Sequence, residues 1–216
     1  MKNQKIRFLT VVATILVMTT YSIAQDDDIE KERRHLEMAQ HLHDRWRIEE
    51  IERAQSAGPA EIAWHATIIQ RVANGNIDVL REGTNGWTCV AEDRTRDASL
   101  ATLVSGPFCM DKNAMDWRNA WMSHTEPKLA GPGIVYMLQG DDFISSATDP
   151  FATESSGKST HIEAPHLMFV GIKLGQNVFS TDPKSGGPWV MWAGTPFEIL
   201  ILPVNVPKPV RYIGIP

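Results

Sequence analysis

The sequence predicts an α+β fold: an antiparallel sheet with one packed helix at about residues 111–123, preceded by a charged N-terminal helix. Three observations predict it. Short β-branched and aromatic runs meet turns rather than alternating with helices, which argues against parallel βαβ units. A single segment after residue 110 carries tryptophan and methionine at helical spacing. Between Asp26 and Arg53, 16 of 28 positions are charged, 10 acidic and 6 basic, unlike everything after them.

The first 24 residues read as an export leader. Lys2, Lys5 and Arg7 form a positive region, Phe8 to Met18 is apolar, and Ser22-Ile23-Ala24 offers the small residues that signal peptidase accepts. Cleavage after Ala24 is expected. The alternative is an uncleaved anchor, but the strongly apolar run is short of the roughly 20 residues that span a bilayer. No cysteine sits near the cleavage point to take a lipid, and no arginine pair precedes the apolar run. The expected location is therefore periplasmic or secreted, with no membrane span after cleavage.

Residues 25–57 read as a solvated helix. Asp26, Asp27 and Asp28 supply first-turn negative charge, which complements the helix dipole. Met38, Ala39, Leu42 and Trp46 make a narrow apolar stripe that Ile48 and Ile51 do not continue, so a coiled coil is not expected. Gly58-Pro59 ends the segment. His35, His41 and His43 read as solvated side chains, because His41 and His43 point to different sides of a helix.

Residues 58–206 read as the globular domain. Strands are expected at 66–72, 77–82 and 87–91, separated by Asn74-Gly75-Asn76 and Thr84-Asn85-Gly86, both hairpin signals. Residues 92–106 read as loop. The helix at 111–123 places Trp117 and Trp121 four residues apart on one face, as core packing. Further strands are expected at 133–139, 166–174, 189–194 and 197–204, and 207–216 as an extended tail. In the strand 189–194, alternation would put Trp189 and Trp192 on opposite sheet faces, one in the core and one free to line a groove.

Composition bounds the function. With 216 residues, 43% hydrophobic, 22% charged and a net charge of −5, the chain is neither disordered, collagen-like nor a multi-span membrane protein. Its acidic balance offers no surface for nucleic acid. Cys89 and Cys109 are the only cysteines. In an exported chain they are expected to pair, closing a loop worth roughly 3 kcal/mol, and to tie the sheet to the helix. A zinc or redox pair is the alternative, but there is no CxxC.

Several motifs are refused. Ala152 to Ser159 imitates a phosphate loop, yet an Asp-Pro turn precedes it and Pro165 soon follows, where a strand and a helix are needed. Ser155 and Lys158, with Lys184-Ser185-Gly186, imitate penicillin-recognising enzymes at the wrong separation. His161, Glu163 and His166 are the most metal-like group, and Asp141, Asp142 or Asp182 could complete a ligand set. Pro165 excludes a zinc-protease helix.

Three blocks carry a resemblance: Arg81 to Cys89 (REGTNGWTC), Gly133 to Leu138, and Ser185 to Pro196 (SGGPWVMWAGTP). Over residues 59–204 the chain resembles an uncharacterised family of exported bacterial hypothetical proteins. That resemblance implies one exported domain and brings no activity, cofactor or catalytic residue.

The leading expectation is an exported disulfide-containing domain that binds a small molecule or an envelope partner. Its expected pocket joins His161, His166 and Asp182, with Trp189 as a wall. A metal-dependent hydrolase built on His161, Glu163 and His166 is the alternative. An envelope-associated structural protein, using the 26–57 helix as its contact arm, is the third.

Overall fold

The computed structural model describes residues 2–71, 77–91, 106–140, 146–151, 164–174 and 178–204, with side chains from residue 28 onward. The fold is α+β. Among the described residues, eight strands form one sheet in the order β2-β1-β3-β4-β5-β6-β8-β7. They are β1 (Thr67–Arg71), β2 (Ile77–Arg81), β3 (Thr88–Val90), β4 (Phe108–Met110), β5 (Gly133–Met137), β6 (His166–Val170), β7 (Trp189–Met191) and β8 (Ile199–Pro203). The helices are α1 (Lys2–Gln55), α2 (Ala60–Ala63) and α3 (Lys112–Met122). Among the described residues, every pairing between these strands is antiparallel except β1 with β3.

Contacts divide the chain into two units, Met1–Ile48 and Glu49–Pro216. In the first, α1 is exposed from Asp28 to Ile48 except at the partly buried Trp46. Its charges pair along the helix, with Arg33 bonded to Glu30 and Glu37. The second unit takes in the end of α1, where Glu50, Ala54 and Ala57 are buried. There Leu138 N–H donates to Ala57 O and the Gln139 amide to Ser56 O.

Register fixes two sheet faces. On one, Val90, Phe108, Met110, Val135, Met137, Val170, Trp189, Met191, Ile199 and Ile201 form the core with Ala114, Trp117 and Trp121 of α3. Asp111 sets that helix in place. Its Oδ1 accepts from Ala114 N–H at 2.8 Å as the N-cap, and its Oδ2 accepts from Ile134 N–H at 3.0 Å on β5. The helix start lies so close to β5 that a Cβ on Gly133 would fall 2.3 Å from Ala114 N. Only glycine fits there.

The disulfide joins Cys89 and Cys109, which stand directly opposite each other on β3 and β4 with Cα atoms 4.0 Å apart. It therefore ties strand to strand, and the expectation of a sheet-to-helix bond is corrected. Cys109 lies in a three-residue strand that stops at the Asp111 cap. Its sulfur is on the face opposite the aromatic core, 3.7 Å from Ala54 O.

The second turn signal is also corrected. The Thr84-Asn85-Gly86 turn does not fold β3 back onto β2. The connection crosses the start of β1, where Thr67 N–H donates to Trp87 O and Gly83 N–H to Thr67 Oγ1. A Cβ on Gly83 would lie 2.1 Å from Thr67 N. That close crossing delivers β3 to the far side of β1, parallel to it.

Trp189 and Trp192 do not occupy opposite faces of one strand. β7 stops at Met191, and Trp192 turns with φ 56°, a sparsely populated conformation for a bulky residue. It is held there by Trp192 N–H to Ala147 O at 2.9 Å and by its indole N–H to Ser146 O at 2.7 Å. Both tryptophans are core residues; Trp192 stacks near Trp117 and Trp121.

Candidate functional site

Three of the four expected ligand residues are described. His166 opens β6 and is 1% exposed. Its Nδ1 lies 2.8 Å from Ala164 O; a carbonyl only accepts, so Nδ1 is the donor of this bond. Trp189, also 1% exposed, pairs with Ile201, which in turn pairs with Met168. His166 and Trp189 thus face the same side of the sheet, inside it. Asp182 is exposed and caps the 3-10 turn Pro183–Ser185, its Oδ1 accepting from Lys184 N–H at 2.9 Å. His161, Glu163, Asp141 and Asp142 lie outside the described residues, as does the phosphate-loop-like segment 152–159. Among the described residues, no group of three His, Cys, Asp or Glu side chains could hold a metal ion.

A cleft of about 470 Å³ opens at the other end of β6 from His166. Five residues of β6 at roughly 3.3 Å each separate the two places. Among the described residues, three chain segments line it. The α3–β5 loop contributes Glu126, Pro127 and Leu129; the stretch after β6 contributes Gly171 to Leu174; the turn into β8 contributes Gly194 to Pro196 and Glu198.

Glu198 holds two of these walls together. One carboxylate oxygen accepts from Leu174 N–H at 2.9 Å, the other from Gly194 N–H at 2.8 Å. A carboxylate serves here where an amide could not, because both oxygens must accept. The turn is tightened further by Thr195 Oγ1, which donates to Trp192 O and accepts from Phe197 N–H. The strained Trp192 thus sits at the root of the cleft wall. Strain of this kind persists only where the surroundings over-determine it, and it concentrates at functional sites.

The other wall begins where α3 ends. His124 adopts φ 54°. Thr125 N–H donates to Ala120 O and His124 N–H to Trp121 O, the pairing of a glycine-type helix cap formed with histidine. The His124 ring stacks on Phe151, with centroids 4.3 Å apart. This cap sends residues 126–129 toward the cleft.

Sequence reasoning missed Glu198. A lone glutamate among apolar strand residues, directly after Thr-Pro-Phe, was the available signal: a carboxylate entering a buried strand must find donors.

Compared with known family models, curated proteins and solved structures, the chain matches none. What the fold defines is a disulfide-bonded α+β domain. Among the described residues, no helix is long and apolar enough to cross a membrane.

Proposed function

We propose that this chain is an exported binding domain that holds a small ligand in the cleft beside Glu198. The observation that carries the reading is the construction of that cleft. Three loops meet at one end of a rigid sheet, and a buried carboxylate staples two of them. Polar loop groups held on a stiff scaffold are the usual makings of a binding site. Export is supported by the leader pattern of residues 2–24 and by the disulfide, which persists in oxidising compartments.

The test is mass spectrometry of protein taken from the cell envelope under non-denaturing conditions. The expected species begins at Gln25 and carries a small molecule that is lost on unfolding. A membrane-embedded chain retaining Met1 would overturn export. Processed protein that carries no ligand would overturn the binding reading.

A further inference from the structure

We propose that the Glu198 cleft selects small organic cations, binding an ammonium or amidinium head against the Glu198 carboxylate and an apolar body along the loop walls. This rests on the binding reading above and names the chemistry of its ligand.

Glu198 is 9% exposed, and its two oxygens receive only neutral backbone N–H groups, from Leu174 and Gly194. A carboxylate offers about four acceptor positions, so two bonds leave room for a further donor. Among the described residues, no lysine, arginine or histidine forms an ion pair with Glu198. A largely buried carboxylate without a cation is costly, and a cationic ligand would offset that cost.

The rest of the lining agrees. Glu126 adds a second carboxylate, against one ammonium from the exposed Lys173. Among the described residues, the lining therefore carries an excess of one negative charge, which disfavours anions. Pro127, Leu129, Ile172 and Pro196 provide apolar surface between the charged groups. The volume suits a ligand with a single ring or short chain, near the lower end of ordinary small-molecule sites. An amidinium or guanidinium head also matches a carboxylate geometrically, because its donors form a planar fork.

Calorimetric titration with three probes of similar shape tests this: benzamidinium, benzyl alcohol and benzoate. Benzamidinium should bind about tenfold or more tightly than benzyl alcohol, and benzoate should be weakest. Glu198→Gln should remove that cation preference. Because Glu198 also staples two loops, its variant can fail to fold, so Lys173→Gln serves as the independent arm. Lys173 makes no staple, and its removal should tighten benzamidinium binding by about threefold through lost repulsion. Benzoate binding as tightly as benzamidinium, or Lys173→Gln weakening benzamidinium, would overturn the cation assignment. Failure of all three probes while envelope protein carries a neutral or anionic molecule would also overturn it, yet leave the binding reading standing. Failure of all probes with ligand-free envelope protein would overturn both.

Discussion

Asp111 carries more of the architecture than its single position suggests. One oxygen caps α3 and the other accepts from β5, so the same carboxylate orients the helix and anchors it to the sheet. Asp111→Ala loses both bonds and leaves two partly buried N–H groups without acceptors, which should cost about 2–3 kcal/mol in chemical denaturation. Asp111→Asn retains one acceptor and should cost about half as much. Glu30 makes a smaller, pH-dependent contribution. Its bonds to Arg33, at 3.0 Å from Nε and 2.5 Å from Nη2, hold its carboxyl below the ordinary carboxylate value. A depressed folded-state value means the stabilisation is present above the ordinary range and disappears as pH falls through the lower one. Both side chains are exposed, so the effect is small. Far-UV circular dichroism should show the wild-type helix signal weakening below about pH 4, and Glu30→Gln should flatten that step.

At the scale of elements, the disulfide and the helix–strand contact make the sharpest predictions. Alkylation of native protein without reductant should label neither Cys89 nor Cys109. Replacing both by alanine should lower stability by about 3 kcal/mol, since the closed loop restricts the unfolded chain. Gly133→Ala should destabilise by about 3 kcal/mol or more in the same denaturation experiment, because its Cβ would press on the Ala114 backbone. Elements with several residues of pattern were legible beforehand. Trp117 and Trp121 announced α3, and Ile134, Val135 and Tyr136 announced β5. β4 was not legible: Phe108, Cys109 and Met110 are all buried, so no alternation shows, and Asp111 begins the helix at once. The β1–β3 pairing was hidden for a different reason. Asn85-Gly86 is a turn signal, but the partner strand is decided by Gly83 passing over Thr67, a long-range contact that no local pattern encodes. Trp192 escaped because alternation assumes that a strand continues, whereas β7 ends one residue before it.

For the whole molecule, the sequence indicated a sheet domain behind a charged helix, and the structure carries both. The site was less legible. Polar loop residues were the natural candidates, yet the described ones serve the scaffold: His166 within the core face and Asp182 as a turn cap. The cleft is formed where segments 126–129, 171–174 and 194–198 converge, and their separation in sequence conceals that meeting. Glu198 draws two of those segments together through the Leu174 and Gly194 amides, so those two N–H groups report directly on the site. The most direct measurement is an amide nuclear magnetic resonance titration of the processed protein with the low-molecular-weight fraction of its own cell envelope. Binding in the cleft predicts saturable shifts centred on Leu174, Gly194 and Thr195, with His166 and Trp189 unmoved. Saturable shifts centred on His166, Asp182 or Trp189, with Leu174 and Gly194 unmoved, would contradict it.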